Sequence, residues 1–263
     1  PDSCGRFADT MMLPIVLLMT AIIAVAISWF YIHDRNIRLA GGRPAHALPR
    51  SPDATPLDRA FDLAERNNDG RSGLRLLVDN ADAFNARLKS IHAAGRSLDL
   101  QYYYWKGDLT GRLLCCEVIA AADRGVRVRL LLDDINTKGF DSSFLALDSH
   151  PNIEVRLFNP SRCRSNALRR NLELLLKYFS ATRRMHNKCW IADGRLAIIG
   201  GRNIGDAYFD ASEGPNFQDV DLAVIGRAAR DAEVLFDTYW NSKSSVPISA
   251  LHRLRRPKLT KLR

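Results

Sequence analysis

The sequence of 263 residues is 46% hydrophobic and 25% charged, which fits one sizeable globular domain with appendages. Its five cysteines form no C-x-x-C pair and no His/Cys ligand spacing, which argues against a disulfide framework and against a zinc site. The formal net charge is +9, and residues 252–263 hold six Lys and Arg and no acid. A terminal run of this kind is usually a solvated tail, and an anionic membrane surface is the expected partner if it has one.

The first predicted element is residues 11–32, MMLPIVLLMTAIIAVAISWFYI, which contain no charged side chain. A helix of this length spans about 33 Å, against a hydrocarbon core of about 30 Å. Trp29, Phe30 and Tyr31 close the run as an interfacial aromatic belt does, whereas a cleavable signal has a shorter apolar core followed by small residues. The pattern predicts a transmembrane helix after a flank of residues 1–10, with a buried core helix as the alternative. More arginines follow this span than precede it, so the positive-inside rule places the main domain in the cytoplasm.

Residues 33–58 are rich in Pro and Gly and are predicted to be a linker. Beyond them, helical periodicity alternates with short apolar runs, which is typical of a layered α/β domain with a largely buried sheet. This domain is predicted over 59–247, before a basic tail at 248–263. Its predicted elements are helices at 57–65 and 79–94, a strand at 97–105, a helix at 109–124, strands at 126–134 and 153–158, a basic amphipathic helix at 166–182, a hairpin of 188–193 and 196–201 around Asp193-Gly194, a strand at 221–226 and a helix at 228–241.

The segment RRMHNKCWIADGRLAIIGGRN, residues 183–203, gathers groups that suit phosphoester chemistry. His186 and Lys188 lie two residues apart on a strand, so both side chains leave by the same face. A neutral imidazole can attack phosphorus, while an ammonium beside it anchors phosphate oxygens and favours the unprotonated ring. A carboxylate is then expected to hold the other ring N–H. The glycines allow close approach of backbone to an anion, and Asn203 offers amide donors. A His and a Lys that are neighbours by chance are the alternative for the pair alone.

The full spacing, H-x-K-x4-D-x6-G-G-x-N, resembles the HKD signature of the phospholipase D superfamily. From about Gly73 to Pro247, the stretches LDLQYYYWKGDLTGRLL, GVRVRLLLDDIN, HPNIEVRLFNP, GGRNIGDAYF and YWNS are similar to the N-terminal half of bacterial cardiolipin synthases of the C type. The resemblance implies a phospholipase D-like layered α/β domain, with a mixed β-sheet flanked by helices. It also implies a phosphohistidine intermediate, without a metal or another cofactor.

For the site, the resemblance implies that His186 is the nucleophile and that Lys188 and Asn203 bind phosphate. It implies that Asp193 completes the catalytic motif. Asp221 matches a carboxylate that orients the histidine in relatives, and is a candidate for that role here.

Several neighbours of the motif have expected roles as well. Gly201 stands where many relatives have Ser, which removes a hydroxyl donor and leaves a backbone N–H for the phosphate. Tyr102–Trp105 alternate between strand faces, so at least half are expected in the core, with lipid contact as the alternative for the others. Asp133, Asp134 and Asn136 end a strand, where polar residues usually only begin a loop, and the resemblance makes a position at the rim of the site the alternative.

Active sites of this family use two HKD motifs, one histidine attacking and the other acting as general acid toward the leaving alcohol. This sequence holds one motif. We interpret the chain as a phosphatidyltransferase of cardiolipin synthase type with a single-pass anchor in a bacterial inner membrane. Its expected partners are phosphatidylglycerol, a second phospholipid or alcohol, and a second HKD half. The chain is a fragment of a roughly twice-longer enzyme, one copy of a symmetric homodimer, or an inactive half. The alternative function is a homodimeric phosphodiesterase or nuclease.

Overall fold

The computed structural model describes residues 12, 14–28, 31–32, 42–67, 70–137, 139–161 and 184–251. The chain divides into two compact units, Pro1–Gly41 and Gly42–Arg263. The predicted N-terminal flank, the predicted helix at 166–182 and the tail from residue 252 onward lie outside the described residues.

In the first unit, residues 12, 14–28 and 31–32 are helical, and we name this helix α1. Its apolar side chains are exposed. Residues 11, 13, 29 and 30 of the predicted span are not among those described. Within the described part of the chain, no helix has both the length and the apolar character needed to cross a bilayer.

The second unit is built on a mixed sheet, in agreement with the predicted layered α/β class. Its described strands are β1 (Gly73–Leu77), β2 (Ser97–Tyr102), β3 (Arg127–Asp133), β4 (Ile153–Phe158), β5 (Cys189–Ala192), β6 (Leu196–Gly200), β7 (Asp221–Ile225) and β8 (Ser245–Pro247). They pair in the order β1-β7-β6-β5-β2-β3-β4-β8. The neighbours β2, β3 and β4 run parallel, and the other described pairs are antiparallel.

Helices cover both faces of this sheet. The described helices are α2 (Pro56–Arg66), α3 (Asn80–Ala93), α4 (Leu109–Asp123), α5 (Asp141–Leu147), α6 (Arg227–Trp240) and α7 (Ile248–Leu251). One core joins α3 and α4 to sheet residues such as Leu100 and Trp190. The second core joins α6 to the opposite face, where Ile191 packs near Phe236. Successive residues of β5 therefore point into different cores, as strand geometry requires.

Most predicted strands and helices occur within two residues of their expected bounds. The predicted hairpin is confirmed as β5 and β6, with Asp193 and Gly194 both at positive φ in its turn. The strands β1 and β8 and the helices α5 and α7 were not predicted, and α7 occupies the first four residues of the predicted basic tail. β1 is short and lies at the edge of the sheet, where Leu74 and Leu76 are exposed, so it lacks a clear apolar and polar alternation.

Residues 42–50 lie in the predicted linker, yet they are bound along the domain. Arg129 donates to the carbonyl of Ala45 at 2.9 Å, and Arg156 donates to the carbonyl of Arg43 at 2.7 Å. Both arginines are buried, so these carbonyls satisfy guanidinium groups that would otherwise lose their hydrogen bonds to water. This part of the predicted linker has no helix or strand of its own, and it is bound to strands β3 and β4.

Candidate active site

The strand directions bring the predicted site residues to one edge of the sheet. His186 and Lys188 precede β5, Gly200 and Gly201 end β6, and Asp221 begins β7. Because β5 and β7 run opposite to β6, the start of the first two strands meets the end of the third. We call this edge the site end of the sheet.

His186 and Lys188 are in direct contact. The Lys188 Nζ lies 3.1 Å from each ring nitrogen of His186 and donates to the His186 carbonyl at 2.8 Å. His186 is exposed, whereas Lys188 is only 6% exposed. Burial lowers the pKa of Lys188, and the charge of the Asp219 carboxylate opposes that shift. The ammonium thus lies beside the imidazole, where it can hold the oxygens of a phosphate whose phosphorus the ring attacks.

Tyr103 forms one wall beside this pair. Its ring centroid lies 4.7 Å from that of His186, at an interplanar angle of 56°, and 5.4 Å from the Lys188 Nζ. Tyr102 and Trp105 are buried in the same core, so half of the four aromatic residues are core as expected, although β2 ends at Tyr102 and Trp105 does not follow the strand alternation. Tyr103 is half-buried, and its contact limits the orientations that the His186 ring can adopt.

Asn203 is buried beside the same end of the sheet, and two tyrosines orient its amide. Its Oδ1 accepts from the backbone N–H of Tyr104 at 3.3 Å, and its Nδ2 donates to the Tyr208 hydroxyl at 2.9 Å. Burial and the neighbouring Tyr208 hydroxyl raise the pKa of Tyr104. Because Nδ2 carries two N–H groups, the contacts among the described residues leave one for a phosphate oxygen.

Gly201 does not offer the free backbone N–H that the sequence suggests. That N–H donates to the carbonyl of Val220 at 3.2 Å, as part of the pairing between β6 and β7. The Gly201 N–H is therefore not available for the phosphate contact that was expected of it. The carboxylate of Asp219 occupies the space where a side chain on residue 201 would begin. Glycine at this position is explained by that close approach.

Asp219 is a candidate functional residue that the sequence reasoning missed. Its charge acts on Lys188, and its side chain packs against Gly201. The available signal was the spacing in QDVD, where Asp219 precedes Asp221 by two residues and so extends the same strand face. The resemblance drew attention to Asp221 alone.

Asp221 is bound to arginines rather than to the histidine. Its Oδ2 accepts from Arg87 at 2.8 Å and lies 3.5 Å from the Arg202 Nη1, and its Oδ1 accepts from the Arg202 N–H at 3.3 Å. The carboxylate is fully buried, and Arg87 also donates to the Tyr102 hydroxyl at 3.1 Å. The structure therefore does not bring Asp221 to His186, because two buried guanidinium groups hold its carboxylate on the α3 side of the sheet.

Asp193 lies at the other end of the hairpin from the candidate nucleophile. It has a φ of +52° and forms the turn with Gly194. Its carboxylate accepts from the backbone N–H groups of Gly95 at 3.0 Å, Arg96 at 2.7 Å and Ser97 at 2.8 Å. The structure does not place Asp193 among the groups that can react. It joins the hairpin turn to the start of β2, the strand with which β5 pairs.

We expect Asp193→Ala to lower the free energy of unfolding by about 3 kcal/mol, because three backbone N–H groups, one of them on the buried Ser97, lose their shared acceptor. Asp193→Asn is the matched control, because its amide oxygen still accepts and Asn tolerates a positive φ. Denaturant unfolding of both variants measures the difference. An Asp193→Asn chain with wild-type stability that gives no turnover with the second HKD half, where the wild-type chain does, would instead show that the carboxylate takes part in the chemistry.

Asp133, expected at the rim of the site, holds the backbone just ahead of the nucleophile. Its buried carboxylate accepts from the N–H of Met185 at 2.8 Å and from the N–H of Ile135 at 3.0 Å, and lies 3.4 Å from the Arg184 Nη1. Burial raises the pKa of Asp133, while these N–H donors act in the opposite direction. Asp133 thereby ties the end of β3 to the residue that precedes His186.

The other two rim candidates form the short helical turn Asp134–Asn136 after β3. The Asp134 carboxylate accepts from the N–H of Ser161 at 2.8 Å, which ties this turn to the chain beyond β4. Across the described ranges, no group of three or more His, Cys, Asp and Glu side chains is placed to hold a metal ion.

Known proteins share this domain. A family model described as cardiolipin synthase, PLD-like domain, matches residues 88–240. Cardiolipin synthase C of Escherichia coli (strain K12) is 50% identical over 179 residues, which cover 68% of this chain and 37% of that protein. The major cardiolipin synthase ClsA of Bacillus subtilis (strain 168) is 31% identical over 172 residues, which cover 64% of this chain and 33% of that protein.

Among solved structures, phosphatidylserine synthase of Haemophilus influenzae Rd KW20 is similar with a TM-score of 0.52 and 15% identity, over 77% of this chain and 45% of that one. At this identity the likeness shows the fold. The chain spans less than half the length of each of these relatives.

Proposed function

The chain belongs to the phospholipase D-like family of cardiolipin synthases, and from that premise we propose that it is one half of a phosphatidyltransferase that forms cardiolipin. The observation that carries this proposal is the contact of the Lys188 Nζ with both ring nitrogens of His186 at the site end of the sheet. It pairs a nucleophile with a cation that can hold the phosphate it attacks.

In the first step, a ring nitrogen of His186 attacks the phosphorus of phosphatidylglycerol. The new P–N bond forms as the P–O bond to the headgroup glycerol breaks, and a general acid on the second HKD half protonates that glycerol. In the second step, the headgroup hydroxyl of another phosphatidylglycerol attacks the same phosphorus and gives its proton to that second half. The P–N bond breaks, cardiolipin leaves, and His186 is restored. Lys188 and Asn203 stabilise the charge on the non-bridging oxygens in both steps.

The neighbouring residues act through His186, Lys188 and Asn203. Tyr103 restricts the His186 ring, and Asp219 balances the charge of Lys188. Asp221 acts as a positioning residue, because its carboxylate binds Arg202, the residue before Asn203. Asp221 is thus assigned to position Arg202 and Asn203, in place of the expected role of orienting His186 directly.

The proposal is tested by adding the purified chain, with its second HKD half, to vesicles of phosphatidylglycerol and measuring cardiolipin and free glycerol in equal amounts. A single-stranded DNA substrate, offered in parallel, tests the nuclease alternative. DNA cleavage without cardiolipin formation would overturn the proposed function.

We also propose that residues 11–32 anchor the chain in a bacterial inner membrane, with the catalytic domain on the cytoplasmic side. The uncharged run of 22 residues and the exposed apolar side chains of helix α1 support this anchor. Detergent is expected to be needed to extract the full chain from membranes. Release of the intact chain by alkaline carbonate alone would contradict the anchor.

A further inference from the structure

Three aromatic side chains form a continuous row that leads away from the candidate phosphate ligand. The rings of Tyr104 and Tyr208 meet edge to face at 5.9 Å, and Tyr208 lies 4.9 Å from Phe217. The inner end is tied to the site, because Tyr208 accepts a hydrogen bond from Asn203. The outer end reaches solvent, because Phe217 is 52% exposed. We call Tyr104, Tyr208 and Phe217 the aromatic strip.

Other exposed apolar side chains gather at the same end of the sheet. Val78 follows β1, Val220 precedes β7, and Ile135 and Phe140 come after β3. The strand directions place all of these positions at the site end. Apolar surface that is concentrated around a polar site is typical of an interaction surface rather than of scattered exposure.

The opposite end of the sheet has a different chemistry. There Arg96 donates to the Asp58 carboxylate at 3.0 Å, and Arg195 donates to Asp58 at 2.6 Å and to Glu65 at 3.2 Å. The hairpin turn at Asp193 belongs to the same polar end. Ion pairs with Asp58 and Glu65 therefore line this polar end, whereas the exposed apolar side chains named above lie at the site end.

We propose that the aromatic strip binds the glycerol backbone and acyl chains of the phospholipid whose phosphate lies between His186 and Asn203. This inference rests on the proposed function and names the surface that accepts the apolar part of its substrate. In a phospholipid the charged phosphate is covalently joined to a large apolar group. A site that holds the phosphorus must therefore offer apolar surface next to its phosphate ligands. The strip begins at Asn203 and provides that surface.

The charges beside the strip favour a lipid tail over a nucleic acid. Stacked rings can also hold nucleobases, but such platforms lie along a positively charged groove that follows the backbone. Phe217 is instead flanked along its loop by Asp210, Glu213 and Asp219. Asp210 accepts from Asn80 at 2.8 Å, and Asn80 also donates to the Phe217 carbonyl at 3.3 Å, so the acidic side chain is held close to the strip. Acidic groups repel a polyanion and do not disfavour uncharged acyl chains.

The test uses the full chain in phosphatidylglycerol vesicles, with the photoreactive residue benzoylphenylalanine in place of Phe217. The control carries benzoylphenylalanine in place of Leu63, which is 68% exposed. Leu63 lies on helix α2, whose Asp58 binds Arg96 at the polar end of the sheet. Burial of a half-exposed aromatic ring against lipid favours the lipid-bound state over the water-exposed state by about tenfold. We therefore expect about tenfold more lipid adduct at position 217 than at position 63.

Equal amounts of lipid adduct at both positions would overturn the proposal. An adduct of position 217 with a protein chain instead of lipid would assign the strip to the second HKD half, and an adduct with added single-stranded DNA would assign it to nucleic acid. Cardiolipin formation by the unmodified chain and its second half is measured in the same vesicles. Lipid adduct at position 217 without cardiolipin formation would overturn the proposed function and leave the lipid-binding role of the aromatic strip in place. Cardiolipin formation without that adduct would overturn only the role of the strip.

Discussion

His186→Asn is expected to abolish phosphatidyl transfer in every active assembly that contains this chain, because asparagine has no nitrogen able to form the P–N bond. Lys188→Ala is expected to retain a trace of activity. Its loss of transition-state stabilisation should be about 2–4 kcal/mol, since one preorganised charged contact to the phosphate is removed.

The measurement is kcat/KM for cardiolipin formation, together with recovery of a phosphorus adduct on the chain after acid-free denaturation. His92→Asn is the matched control, because its side chain is 54% exposed and pairs with Glu117 on helix α4. Turnover near the wild-type value in His186→Asn would remove this histidine from the nucleophile role. An adduct that survives in His186→Asn would point to a different acceptor.

The second large effect concerns the number of HKD motifs that meet at one site. One copy of this 263-residue sequence provides one HKD motif, and so a candidate nucleophile without the general acid of a second motif. Loss of the general acid alone costs about 10²–10⁴ in rate. We therefore expect the chain to be inactive when it is alone, and to gain activity when two motifs come together, either in two copies of this chain or with a second HKD half.

Nanodiscs that carry one copy or two copies of the full chain separate these cases, with particle mass measured alongside activity. A nanodisc that carries one copy and the second HKD half is the positive control. Specific activity that is the same in discs with one copy as in discs with two would contradict the requirement for a second motif. If only the positive control is active, the symmetric homodimer is excluded.

The sequence predicts the elements of this domain well where local signals are strong. The Asp193-Gly194 turn and the apolar runs on each side of it predict the β5–β6 hairpin, and β4 is predicted without error. β1 is missed because an edge strand with exposed Leu74 and Leu76 has no buried face to give it a period. Its pairing with β7 depends on residues far away in the sequence, which no local pattern contains.

The candidate site is predictable only in part, for the same physical reason. The spacing of His186 and Lys188 puts both on one face of the chain, and the structure brings them together. Spacing does not show which groups from other elements claim a carboxylate. Asp221 binds Arg87 from helix α3, and the Gly201 N–H is hydrogen-bonded to the carbonyl of Val220 through the register between β6 and β7. Such partners are set by tertiary contacts rather than by the motif.

The ion pair between Arg87 and Asp221 also dictates an order of events on the ribosome. The two residues are 134 positions apart, so at ordinary translation rates Asp221 emerges roughly 7–27 s after Arg87. During that interval the nascent chain can assemble β2, β3 and β4 through local crossovers, but the guanidinium has no carboxylate partner and β1 has no neighbouring strand. A buried charge without its partner is destabilising by about 3–5 kcal/mol. The β1 edge of the sheet therefore closes only when β7 has been synthesised, and among the described strands only β8, at the opposite edge, is added later.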